Sequence, residues 1–177
     1  MRKQIVFLTS LLLAFTVLAS CQDKGKRSSP AAQAQCKFSD GKTVTIDYSS
    51  PRAKGRKVFG ELVPYGEVWR TGANEATTFV TDANLSIGGT DVPAGSYTIF
   101  TIPNPNTWTL IINKKTGEWG IPYKYKEDEL GRVGMKVSPT SSPVENFTIA
   151  FDQKGNSCTL TMSWENTQAS VDISEKK

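Results

Sequence analysis

Residues 96–113 read SYTIFTIPNPNTWTLIIN. Tyr97 and Ile99 fall on one parity, Phe100 and Ile102 on the other, and Asn104-Pro105-Asn106 supplies a turn. Beyond it Trp108, Leu110 and Ile112 alternate with threonine and isoleucine. Two period-two runs joined by a short Asn/Pro turn predict a β-hairpin. The same period extends in both directions. Val44, Ile46 and Tyr48 alternate with Thr43, Thr45 and Asp47 after a Ser39-Asp40-Gly41 turn, and the alternation is expected to begin at Cys36. Residues 77–81 and 85–87 read as strands, with Gly88-Gly89 and Pro93-Ala94-Gly95 as turns. Val133, Met135 and Val137 precede a Ser-Pro linker at 138–143. Phe147, Ile149 and Phe151 then lead through Lys154-Gly155-Asn156 to Cys158, Leu160, Met162 and Trp164, with a last short strand at Val171 and Ile173. About nine strands and no long helix predict an all-β domain over residues 36–175. An antiparallel β-sandwich, immunoglobulin-like or jelly-roll-like, buries one face of each strand most simply, and a partly closed barrel satisfies the same pattern.

The N-terminal residues carry a location. Arg2 and Lys3 precede an apolar run from Ile5 to Val17, which is short for a membrane span, and Leu18-Ala19-Ser20-Cys21 closes it. This order predicts a cleaved export signal over 1–20 and a lipidated Cys21, since small residues before a cysteine resemble the bacterial lipobox. Acyl chains at about 0.8 kcal/mol per buried methylene would then hold the protein on the cell envelope. The periplasmic face or the outer membrane is expected, with Gln22 after the cysteine leaning towards the latter. Residues 22–35, QDKGKRSSPAAQAQ, are expected to form a flexible tether, so that residues 21–35 lie between lipid and domain.

Composition excludes several chemistries. The net charge of +4 falls to +2 once Arg2 and Lys3 leave with the signal, which gives no case for nucleic acid. Histidine is absent, so Ser-His-Asp and Cys-His catalysis and His-ligated metals are excluded. Of the three cysteines, Cys36 and Cys158 remain after lipidation. In an exported protein they are expected to pair, because both lie on the apolar parity of their strands. A bridge across so long a loop is worth about 2–4 kcal/mol. No metal site and no cofactor is read. The Glu127-Asp128-Glu129 run lacks the spacing of a calcium loop.

Two segments break the strand pattern. The first is SPRAKGRKVFGELVPYGEVWRTGANEATT at 50–78, the second EWGIPYKYKEDELG at 118–131. Arg52, Lys54, Arg56 and Lys57 bring four positive charges within six residues, either as an anion site or as a solvated turn. Trp69 and Arg70 with Asn74 and Glu75 form the more informative cluster. Arg70 offers a planar fork that Glu75 can accept, and Trp69 a face for a sugar or guanidinium. That set suits saccharide or carboxylate binding, and equally a clamp holding the loop. If the second segment folds beside the first, Trp119 and Tyr123 would extend an aromatic groove. Trp108 and Trp164 alternate cleanly and are expected in the core.

The run from Lys54 to Thr77, with VPAGSYTIFTIP, TWTLIINKKTGEWG and LTMSWEN, resembles the bacterial domain-of-unknown-function family numbered 2911. The resemblance covers residues 43–173 and implies an exported, β-rich protein, often a lipoprotein. It brings no activity. The functional expectation is a non-enzymatic, membrane-tethered binding module for a small polar, anionic or saccharide ligand, or an envelope partner. The alternatives are a hydrolase using Glu75 with Glu67, Glu118 or Asp128, and a purely structural envelope protein.

Overall fold

The computed structural model describes residues 27–176. The export signal, Cys21 and the first part of the tether lie outside the described residues. Nine strands make up the domain: β1 (Ala31–Lys37), β2 (Thr43–Ser49), β3 (Thr77–Thr81), β4 (Leu85–Ile87), β5 (Thr90–Val92), β6 (Gly95–Ile102), β7 (Thr107–Asn113), β8 (Glu129–Lys154) and β9 (Ser157–Glu175). Every pairing is antiparallel, and the strands form one sheet in the order β1-β2-β3-β6-β7-β8-β9-β4-β5. The only helical turn among the described residues is a three-residue 3-10 turn at Lys126–Asp128.

The hairpin at 96–113 is β6 and β7, with Ile99 opposite Ile112 and Thr101 opposite Leu110. It sits mid-sheet, which explains why both parities are apolar. Tyr97, Ile99, Trp108, Leu110 and Ile112 face the main core. Phe100 and Ile111 face outward into a second, smaller cluster with Ala76, covered by Val68, Ile102, Tyr123 and Tyr125. The outer face of β6 and β7 is thus kept dry by the two irregular segments.

Single hydrogen-bonded strands replace several expected pairs. The Ser-Pro linker is a bend inside β8, where the register with β9 shifts between Pro139 and Val144 and again before Thr148. Pro139 and Pro143 have no N–H to give the ladder, so pairing lapses there without ending the strand. The short strand at Val171 and Ile173 is likewise the far end of β9, paired with β4 at Ile87. The outer half of the β8–β9 hairpin folds back over β1 and β2. There the Tyr48 hydroxyl accepts from the Ile149 N–H at 3.0 Å, and the Tyr48 ring meets Phe147 edge-on at 5.8 Å. The chain leaving β2 pairs with this half too, Phe147 N–H to Pro51 O and Ala53 N–H to Glu145 O, both 2.9 Å.

The alternation starts earlier than Cys36. β1 begins at Ala31, with Ala34 and Cys36 buried and Gln33 and Gln35 exposed, so residues 31–35 belong to the sheet rather than to a tether. Alanine between glutamines is a weak apolar signal, yet its small side chain suits a strand pressed against the folded-back hairpin. Cys36 and Cys158 form a disulfide with Cα atoms 6.6 Å apart, joining β1 to β9 across the core.

Candidate functional site

The first irregular segment crosses one end of the sheet and is anchored inward at three places. Val58, Phe59 and Val63 are buried, with the Phe59 ring 4.8 Å from Trp108. Trp69 exchanges two backbone hydrogen bonds with Thr101, at 2.8 and 2.9 Å, and so pairs with β6 just beyond the end of β3. Fixed like a strand residue, it turns its ring into the core. There it stacks on Trp164 at 5.9 Å and meets Phe147 edge-on at 4.8 Å, while its Nε1–H donates to the Gly72 carbonyl at 3.0 Å. Trp69 is therefore not the open stacking face expected of it.

Between these anchors lies a cleft of about 450 Å³. Its floor is apolar, built from Val63, Val68 and the edges of Trp69 and Trp164. Arg52, Lys54, Arg56 and Arg70 form its cationic walls, and Glu67 is the one carboxylate among the described residues lining it. The basic run and the Trp-Arg pair, separate in sequence, are thus two sides of one depression. Pairing of residues 51–53 with 145–147 brings the basic run there.

Each of the arginines in the wall is partly committed to the backbone. Arg52 Nη1 donates to the Ser50 carbonyl at 2.8 Å, and Arg56 donates to the Ala53 and Arg52 carbonyls at 2.9 and 2.7 Å. Part of each fork thus shapes the turn, as the solvated-turn reading has it. A guanidinium has five N–H donors, so several on each remain for a ligand. None of Arg52, Lys54, Arg56 and Arg70 makes an ion pair among the described residues.

Arg70 and Glu75 do not pair. Arg70 donates to the Asn74 carbonyl and, at 3.5 Å, to that of Trp119, and its guanidinium lies 5.4 Å from the centre of the Trp119 ring. Glu75 instead takes Arg27 at 2.7 Å in a separate depression beside Tyr48 and Thr78. The cause is backbone geometry. Thr71 and Asn74 both adopt positive φ, 56° and 58°, and these reversals aim the Asn74 carbonyl at Arg70 while carrying Glu75 past it. Partial burial disfavours the Arg70 charge and lowers its pKa, with the more distant Glu75 charge acting the other way. Arg27 holds Glu75 below the usual carboxylate range. The Asn74 side chain donates to the Ser29 carbonyl at 3.1 Å and so fastens the N-terminal segment along the cleft, where Ser28 and Ser29 complete the rim.

The second irregular segment does fold beside the first. The Ala76 N–H donates to the Glu118 carbonyl at 3.2 Å, and Trp119 covers Arg70 while staying 57% exposed. Tyr123 is not part of the cleft. Its ring packs on Phe100 at 4.8 Å, and its hydroxyl donates to Glu129 at 2.7 Å and accepts from Asn113 at 3.2 Å. Burial, reinforced by Glu129, pushes its pKa up to about 12. Of the other carboxylates considered for hydrolysis, Glu118 accepts from the Tyr125 hydroxyl at 3.1 Å, and neither it nor Asp128 lines the cleft. Sequence reasoning missed Leu62, Pro64, Val68, Ile121 and Trp164 as lining residues. The first four sit in aperiodic segments, where nothing marks a wall, and Trp164 reads correctly as core.

The architecture places the chain among all-β antiparallel proteins with a loop-built cleft at one end of the sheet. Over residues 29–173 it matches a family described as protein of unknown function, DUF2911, and it belongs to that family. Neither a curated protein nor a solved structure matches the chain.

Proposed function

We propose that the chain is a lipid-anchored envelope protein whose cleft binds the anionic group of a small polar or saccharide ligand without chemically changing it. One observation carries this reading: four cations, unpaired among the described residues, converge with a single carboxylate on an apolar floor. Arg52 and Arg70 are half-buried and Lys54 and Arg56 exposed, so an entering carboxylate, sulfate or phosphate can take charge-assisted bonds from all four, bidentate from the arginines. The apolar floor offers a face for the ligand's carbon skeleton. A lone Glu67 favours binding over carboxylate-pair hydrolysis, which needs two such groups about 5–10 Å apart.

Titration calorimetry with inorganic phosphate, glucose 6-phosphate and glucuronate, against neutral glucose, tests the cleft. Binding of an anionic member that Arg70→Gln weakens by about tenfold supports the reading. Equal binding by parent and variant, or no anion bound at all, removes it. The anchor rests on Leu18-Ala19-Ser20-Cys21 and is tested by Cys21→Ser, which is expected to abolish lipid labelling and release the protein from membranes. Unchanged membrane partition would overturn it.

A further inference from the structure

The two segments that form the cleft turn several large apolar side chains to solvent. Among the described residues the exposed large hydrophobics are Leu62 (41%), Tyr65 (42%), Val80 (38%), Trp119 (57%) and Ile121 (45%). All but Val80 come from the two irregular segments. Leu62 and Ile121 line the cleft, Tyr65 follows the lining residue Pro64, and Trp119 covers the wall residue Arg70. The same segments bury Phe59, Val63, Trp69 and Ala76, so apolar side chains are divided between the core and the solvent-facing rim. A rim of Leu, Ile, Tyr and Trp at a cationic depression whose Lys54 and Arg56 are exposed combines the two terms of interfacial binding. Aromatic and aliphatic side chains enter the headgroup boundary, and lysine and arginine attract anionic lipid.

The N-terminal segment points the same way. Ser28 and Ser29 line the cleft, and Ser29 is held there by Asn74, so the chain preceding them meets the domain at this rim. From Cys21 to Ser28 the chain advances seven residues, which at full extension span at most about 25 Å. With Cys21 anchored, the rim cannot lie farther than that from the bilayer.

From the rim, its charge and the short lead, and resting on the proposed anion-binding cleft and lipid anchor, we infer that the cleft mouth docks on an anionic phospholipid surface, with Leu62, Tyr65, Trp119 and Ile121 in the interface and a phosphate headgroup between Arg52, Arg56 and Arg70. The domain then lies face down on the membrane that holds it, and the cleft's ligand is part of that membrane.

The test removes the anchor and asks whether the face still binds. The chain from residue 21 onward carrying Cys21→Ser, which contains every described residue, is sedimented with phosphatidylglycerol–phosphatidylcholine vesicles and with phosphatidylcholine alone. Binding is expected to the anionic vesicles only. Lys54→Gln should weaken it by about fivefold, since a cation at such a surface contributes about 1 kcal/mol. Leu62→Ser with Trp119→Ser should abolish it while leaving the circular dichroism spectrum of the sheet unchanged. Brominated acyl chains should quench Trp119 fluorescence, identified by its loss in Trp119→Phe. Absence of sedimentation, or sedimentation indifferent to the Leu62 and Trp119 changes, overturns the inference. Binding of soluble glucose 6-phosphate without vesicle binding overturns it while leaving the anion cleft standing, and failure of both removes the two together.

Discussion

Gly120→Ala probes the join between the two irregular segments. Gly120 is buried at φ +92°, and a methyl group there would come within 2.9 Å of the Ala76 Cβ, 3.1 Å of the Phe100 ring and 3.3 Å of the Arg70 Cβ. Two of these neighbours are Cβ atoms that move only with the backbone, and Phe100 is 1% exposed, so no flexible end can swing aside. The left-handed conformation costs an L-residue about 1–2 kcal/mol. Overpacking a filled site adds about 1–3 kcal/mol. Partial relief of each by the other leaves about 2–4 kcal/mol in total. Gly117, three residues earlier on the same segment, has φ +75° and nothing within 4 Å of where a methyl group would sit, so Gly117→Ala incurs the backbone term alone. Urea unfolding of both variants, followed by circular dichroism, gives the packing term as their difference. The expected difference is about 1–2 kcal/mol, with Gly120→Ala the less stable. Equal destabilisation would mean that residues 118–121 do not press on Arg70 and Ala76, and the description of the cleft wall would fail.

The disulfide closes a loop with a sequence separation of 122, for which chain entropy gives about 4–5 kcal/mol as an upper figure, so Cys36→Ala with Cys158→Ala should lower the urea midpoint by the equivalent of at least about 2 kcal/mol. A loss under about 0.5 kcal/mol would show that β1 is held without it. Tyr123 binds its proton more tightly folded than unfolded. Its contribution is therefore fully present below pH about 10 and lost as pH rises through about 12, some 1–2 kcal/mol after allowing for its partial exposure. Tyr123→Phe should flatten this alkaline fall, and an unchanged slope between parent and variant would refute the assignment. Arg70→Ala should cost only about 1–2 kcal/mol, because it removes carbonyl bonds and the Trp119 contact without orphaning Glu75. Glu75→Gln should cost under about 1 kcal/mol, as for a surface pair. A loss of more than about 3 kcal/mol in either variant would restore the buried clamp that the geometry denies.

What the sequence makes legible is whatever repeats. Period two locates β2, β3, β4, β6 and β7 within a residue or so, and shows both faces of β6 to be apolar before any neighbour is known. It places Cys36 and Cys158 inward, which suits a bridge or two separate buried thiols, and the expected exported compartment favours the bridge that the structure holds. Strand continuity is a different matter. Serine and proline at 138–143 look like a break because they interrupt pairing, but the chain stays extended and resumes in a shifted register, which only the partner strand reveals. The cations of the candidate cleft were legible in composition, and their partners were not. Arg52, Lys54, Arg56 and Arg70 stand out as cations in aperiodic chain, and the fold brings them to one cleft. Which acceptor each finds depends on φ at single residues. Arg70 and Glu75 are five apart, a spacing that a helix or strand would turn into a definite geometry and a loop does not. Positive φ at Thr71 and Asn74, which neither residue type demands, decides that Arg70 meets a carbonyl and stays without a counter-charge. Had the two residues paired as their chemistry suggests, one of the four cations lining the cleft would have been neutralised. The backbone reversal that defeats the expected clamp is therefore what leaves Arg70 without a counter-charge.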